Sequence, residues 1–217
     1  FMGHIAPDEE QAGYDLAKFL IKLKRETNPD GRLKIGAMSA NKIQTKSKQR
    51  LLGLEKAVKE EYLTKLYKPV YSPSKKQEAY IQTSRLIKKY YDLNIIWAET
   101  DIMSLGANEA IVDNDLGKQV ISGGIGFTKE SIDSVKNNGL KALVGGGFMD
   151  AGLALILIND YLHGIDFINQ FDSKINSNTF LLNSKNINEY LKVFNAPNLE
   201  KIDFKKSNFS TKKHIKL

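Results

Sequence analysis

The chain has no cysteine. That excludes disulfides, thiolate nucleophiles and cysteine-ligated metals together, and leaves the redox compartment open. Long apolar runs are also missing. The richest stretch, AGLALILINDYLHG, is broken by Asn159 and Asp160, well short of the roughly 20 apolar residues that span a bilayer, so it reads as a buried helix. Histidine is scarce: His4, His163 and His214 stand far apart without H-x-x-x-H or H-x-H spacing, which gives a metal site no support. No G-x-S-x-G elbow occurs and no serine–histidine pairing is readable. No signal peptide is recognisable, and the opening FMGHIAPDEEQAG reads as the interior of a longer chain.

What is present describes a globular protein. Its 217 residues, 41% hydrophobic, suffice for one large domain or one and a half small ones with a sizeable core. The net charge of +7 raises the possibility of an acidic partner. The bases are scattered, however. Lys22, Lys24 and Arg25 end one predicted helix, Lys42 to Lys48 flank a loop, and Lys88 and Lys89 end another helix. Helix C-termini are where the macrodipole favours cations in any case, so no nucleic-acid partner is expected.

Helix-period and short apolar segments alternate along the chain. DEEQAGYDLAKFLIKLKRE places Ala12, Leu16, Phe19, Leu20 and Leu23 on one face, with acids first and bases last, and predicts an amphipathic helix. GRLKIGAMSA predicts a strand, SKQRLLGLEKAVKEEY a helix, and LTKLYKPVYS a strand weakened by Pro69. PSKKQEAYIQTSRLIKKYY predicts a helix with Pro73 near its first turn. NIIWAE, QVISGGIGF and LKALVGGG read as strands, interleaved with helices over DIMSLGANEAIVDND, KESIDSVKNN and MDAGLALILINDYLHG. Beyond Ile165 the order weakens to a strand TFLLN, a short helix NINEYLKVF and a Lys-rich extended tail, KKSNFSTKKHIKL. Alternating strands and helices with continuous apolar strands imply an α/β fold, a doubly wound parallel sheet covered on both faces.

Ligands of such sheets bind outside the carboxyl ends of the strands. The loops to inspect are MSANKIQTKSKQR, YSPS, AETD, GFTKES and GGGFMD. A Rossmann site is disfavoured, because GGIG lies late, inside a strand, and is followed by Phe127. Gly123, Gly124 and Gly126 instead suit close backbone approach or a bulge. Glu99 and Asp101, two residues apart at a strand end, do not aim at one bond. They are read as capping or solvated groups, with Asp101 placed as a helix N-cap. Arg50 has two readings: a solvated helix arginine, or a planar donor fork turned toward the strand ends, suited to vicinal hydroxyls or a carboxylate.

The ordered segments GHIAPDEEQAGYDLAKFLI, S-x(10)-R-x-x-G, ETDIMSLGANEAI, GIGFTKESIDSVKNNGLKALVGG and DAGLALILINDYLHG resemble the C-terminal two thirds of type I periplasmic binding proteins. Within them the likeness is to the sugar-binding, ribose-binding-like solute receptors of ABC transporters. The resemblance implies two α/β lobes closing over a sugar-like ligand in an interlobe cleft, in the periplasm, with an ABC permease as partner and neither catalysis nor cofactor. It places Arg50 at the family's sugar-binding arginine and Thr100 where relatives carry a ligand-binding asparagine, with Asp101 retained. Thr128 falls where relatives carry an aspartate that binds sugar hydroxyls, and Gly146 and Gly147 fall near a hinge glutamine. Asn41, in the loop after the first strand, completes the expected ligand-binding set. Two other roles share the fold: a periplasmic receptor for a sensor kinase or cyclic-dinucleotide protein, and a LacI-type effector domain. The expected organisation is a C-terminal lobe over 1–144, then a hinge return, segments of the N-terminal lobe and a C-terminal extension over 145–217. Such a piece leaves the helix at Asp150 to His163 with an apolar face for a missing N-terminal lobe or for self-association.

Overall fold

The computed structural model describes residues 4–147, 150–164 and 174–193. In chain order the elements are β1 (His4–Pro7), α1 (Glu9–Thr27), β2 (Leu33–Ser39), α2 (Thr45–Lys59), β3 (Thr64–Leu66), β4 (Val70–Tyr71) and α3 (Lys76–Lys89). There follow β5 (Ile95–Ala98), α4 (Asp101–Asp113), β6 (Ile121–Ile125), α5 (Lys129–Lys136), β7 (Ala142–Gly146), α6 (Asp150–Leu162), β8 (Lys174–Ser177), β9 (Thr179–Asn183) and α7 (Ile187–Val193). The Lys-rich tail expected at the C-terminus lies outside the described residues.

The chain forms two compact units. One comprises Glu9–Gly145 and Phe180–Asn188, the other residues 1–8, 146–179 and 189–217. The first is built on a seven-stranded sheet in the order β3-β2-β5-β6-β7-β9, with β4 also paired to β2. The pairings of β2 with β3, β4 and β5, of β5 with β6 and of β6 with β7 are all parallel. β3 and β4 are two pieces of one edge, interrupted where Pro69 lacks the N–H that a continuous ladder needs. Pro73 stands outside α3, which begins only at Lys76, so the proline ends the edge strand instead of opening the helix.

The central strands are largely apolar because helices cover both faces. β5 shows it in four residues: Ile95 and Trp97 pack into the α1–α2 layer, Ile96 and Ala98 into the α3–α4 layer. Full burial of each such large side chain contributes roughly 1.5–3 kcal/mol. Trp97 is fully buried and its indole N–H donates to the Gly13 carbonyl at 3.2 Å, which ties the central strand to α1. α1 carries Glu9 and Glu10 in its first turn and Lys24 and Arg25 in its last, as its dipole favours. α1 and α2 approach closely through two glycines. A Cβ on Gly13 would strike the Arg50 backbone carbonyl, and one on Gly53 would strike the Glu10 carbonyl oxygen and, at 2.6 Å, the Tyr14 nitrogen.

In the second unit, β1 pairs in parallel with β8, His4 opposite Lys174 through Pro7 opposite Ser177. α6 leaves Leu155 68% and Leu162 75% exposed, with Ile158 between them on the same stripe. No helix among the described residues is long and apolar enough to cross a membrane.

Candidate functional site

From β2 the chain moves outward to β3 and β4, then returns to β5 on β2's other side. The reversal falls at the carboxyl ends of β2 and β5, the place where a doubly wound sheet takes its ligand. Ser39 ends β2, Ala40 follows it, and Glu99 follows β5. All three meet there, because Ser39 Oγ donates to Glu99 Oε2 at 2.5 Å and the Ala40 N–H donates to the same oxygen at 2.7 Å. Ser47, from the first turn of α2, donates to Glu99 Oε1 at 2.7 Å.

Arg50 stands one turn further along α2 and is 6% exposed. Its Nη1 donates to the Glu99 backbone carbonyl at 2.6 Å, and its Nε donates to Glu9 Oε2 at 2.6 Å. Lys46 supports the second contact, its Nζ lying 3.2 Å from Glu9 Oε1. Two of the five guanidinium N–H groups are thereby fixed. Nη2 has no partner among the described residues, so the fork is oriented and still has donors to offer. The solvated-arginine reading does not hold.

Asp101 is 6% exposed and opens α4. Its Oδ2 accepts from the Thr128 N–H at 2.7 Å and lies 3.0 Å from Ser131 Oγ, while Oδ1 accepts from the Ile102 N–H at 3.0 Å. The N-cap of α4 is Thr100, whose Oγ1 accepts from the Met103 N–H at 3.2 Å and sits 2.8 Å from Ser74 Oγ. The expected capping role of Asp101 is therefore corrected. Thr100 caps α4, and Asp101 instead links the start of α4 to the start of α5. Thr128 caps α5, accepting from the Ser131 N–H at 3.4 Å.

This arrangement explains Gly124 of β6 and Gly126 just after it. A Cβ on Gly124 would lie 2.6 Å from Ser104 Oγ and 2.7 Å from the Thr100 carbonyl. Gly126, at φ +134°, would put one 2.5 Å from Asp101 Oδ1. The glycines make room for the first turn of α4. No phosphate cradle is formed, because the start of α5 already faces a carboxylate of the protein itself.

Of the residues the sequence suggested, the structure brings Arg50, Thr100, Asp101 and Thr128 to the carboxyl edge of the first unit. Asn41 lies in the loop after β2, where its Oδ1 accepts from the Ile43 N–H at 2.7 Å in an Asx turn. Gly146 belongs to the other unit, where a Cβ would strike the Asn178 carbonyl. Glu99, read from sequence as capping or solvated, is 3% exposed and does neither. Glu9, Ser39 and Ser47 were not anticipated. The available signal was an acid continuing the apolar strand NIIWAE, and its partners stand 60 and 52 residues away.

Every carboxylate of this edge is held by donors of the protein. Glu9, Glu99 and Asp101 each accept from such donors, and the Arg50 Nη2 has no partner among the described residues. The described residues contain no group of three His, Asp or Glu able to hold a metal.

Solved structures share this fold. A periplasmic sugar-binding protein from Pseudomonas fluorescens is 24% identical, with a TM-score of 0.84 over 97% of this chain and 65% of its own. An ABC transporter periplasmic solute-binding protein from Actinobacillus succinogenes, with bound D-allose, is 19% identical, with a TM-score of 0.72 over 87% of this chain and 64% of its own. A solute-binding protein from Bacillus halodurans, with bound myo-inositol, is 18% identical, with a TM-score of 0.75 over 89% and 64%. The chain thus spans somewhat under two thirds of the length of these structures. No curated protein matches it. The family model described as "Periplasmic binding protein domain" matches residues 2–157, and the chain belongs to that family.

Proposed function

We propose that the chain is the ligand-holding part of an extracytoplasmic solute receptor that binds a small sugar-like molecule at the carboxyl edge of its sheet and releases it unchanged. The observation that carries this reading is Arg50: buried, fixed at 2.6 Å to both the Glu99 carbonyl and Glu9, with Nη2 still offering two donors. A rigid pair of N–H groups suits vicinal hydroxyls, and buried carboxylates that are already satisfied give no route to bond cleavage. Sugars and a cyclitol bound to proteins of this fold support the ligand class. Thr100, Asp101 and Thr128 shape the wall beside the arginine, Asn41 flanks it from the β2 loop, and Gly146 lies where the chain leaves this unit. In the receptor as a whole the ligand passes to an ABC permease from the periplasm.

The side chains at 100 and 128 are spent on helix caps, so the edge offers donors more readily than acceptors. The test is a thermal-shift screen of this chain with D-allose, myo-inositol and L-arabinose. A ligand at a hundred times its dissociation constant adds about 2.7 kcal/mol of stability. Arg50→Ala is expected to abolish that shift. A shift that survives the substitution removes Arg50 from the site, and a flat response to every polyol removes the ligand class.

A further inference from the structure

At the opposite end of the same sheet, where β6 begins and β7 is about to begin, lies a cavity of about 350 Å³. Five lysines line it, Lys22, Lys24, Lys118, Lys141 and Lys185, against one carboxylate, Glu26. Lys24 is 7% exposed, yet its Nζ has only the Lys118 carbonyl, at 3.3 Å, and no carboxylate among the described residues. Lys141 Nζ likewise rests on neutral oxygens, the Asn138 carbonyl at 2.8 Å and its Oδ1 at 3.0 Å. Four lysines outside the cavity do pair with acids: Lys18 with Glu61, Lys34 with Asp92, Lys46 with Glu9, and Lys76 with Glu109 and Glu130. A desolvated ammonium without a counter-charge is unfavourable, and burial holds both Lys24 and Lys141 below the usual lysine range.

We propose that this cavity is an anion site for a small phosphate-bearing molecule, separate from the sugar-binding edge. Its volume is that of a small-ligand pocket. Lysines act as point charges on a phosphate, where the planar fork of an arginine would select a carboxylate equally well. Asn183 adds a neutral donor: its Oδ1 is taken by the Lys185 N–H at 2.8 Å, while its Nδ2 has no acceptor among the described residues. Phe19, Leu23 and Ile121 give the cavity an apolar floor on which the organic part of a phosphate ester would lie.

Calorimetric titration of the chain with inorganic pyrophosphate at low ionic strength tests the proposal. Saturable binding of one pyrophosphate per chain is expected, weakened about tenfold by Lys24→Met and by Lys141→Met. Lys88→Met, at an exposed position in the last turn of α3 outside the cavity, is expected to leave the affinity within about twofold. Lys24→Met removes an unpaired buried charge, so in anion-free buffer its thermal midpoint is expected at or above that of the parent. Loss of binding therefore cannot be confused with loss of fold. No saturable binding, unchanged affinity in both cavity variants, or an equal loss in Lys88→Met overturns the proposal.

Discussion

Glu99 sits at the centre of the edge, and its role is structural. Its carboxylate gathers the hydroxyls of Ser39 and Ser47 and the Ala40 N–H, and both serines are fully buried. Removing the acceptor leaves two buried hydroxyls and a half-buried N–H without a partner, each at a cost of roughly 1 kcal/mol or more. Glu99→Ala is therefore expected to lower unfolding free energy by about 3 kcal/mol in urea titration. Glu99→Gln keeps one carbonyl and adds an N–H that a rotated serine hydroxyl accepts, so about 1 kcal/mol is expected. Equal losses in the two variants would mean that packing, not hydrogen bonding, is what Glu99 supplies. None of this was legible locally. An acid at the end of a buried strand looks the same in sequence whether it meets water or two serines brought back from far along the chain. The type and place of Arg50 before an apolar helix run left a solvated arginine and a donor fork both open, and its anchor, Glu9, is fixed only once α1 lies against α2.

The packing of α1 on α2 decides where Arg50 stands, and Gly53 sets that distance. Its α-carbon faces the backbone of α1, where a methyl group would meet the Glu10 carbonyl and the Tyr14 nitrogen. Backbone atoms inside a helix do not rotate away, so the helices must separate, at a cost of roughly 1–3 kcal/mol. Gly53→Ala is expected to destabilise by that amount and to weaken the Arg50–Glu9 contact, so that the sugar-induced thermal shift falls with it. Gly117→Ala is the matched control. Nothing lies within 4 Å of the added carbon there, and the expected change is within about 0.5 kcal/mol. At this scale the sequence was most readable. The strands of the first unit announce themselves as apolar runs because two helical layers cover them, and the helices carry their charges at the expected ends. β1 and β8 escaped notice because HIAP and KINS have neither an apolar run nor alternation, and they are strands only by virtue of each other. LTKLYKPVYS predicts one strand, and its division into β3 and the two-residue β4 shows only in the separate pairings with β2.

Across the whole molecule, acid stability depends on how distant segments are tied together, and Asp92 is one such tie. It follows α3, pairs with Lys34 of β2, and accepts from the Tyr67 hydroxyl at 2.8 Å beside the broken edge strand. The Lys34 ammonium first, and the Tyr67 hydroxyl second, hold the Asp92 carboxyl below the usual carboxylate range. Burial first, and the bond to Asp92 second, push the Tyr67 hydroxyl up to about 12. A depressed folded-state value means that the unfolded chain takes up the proton first as pH falls. Asp92 thus contributes stability above about pH 4, and that contribution disappears as pH drops through its folded value. The raised tyrosine works at the other end, contributing below about pH 10 and fading as pH climbs through its folded value near 12. Asp92→Asn removes the first contribution and one cause of the second. Its urea midpoint is expected below that of the parent at neutral pH, with the gap closing as pH falls below about 4 and the parent loses what the variant never had. A gap that stays constant across that range would show that Asp92 holds these segments through shape alone, and that its charge contributes nothing to the fold.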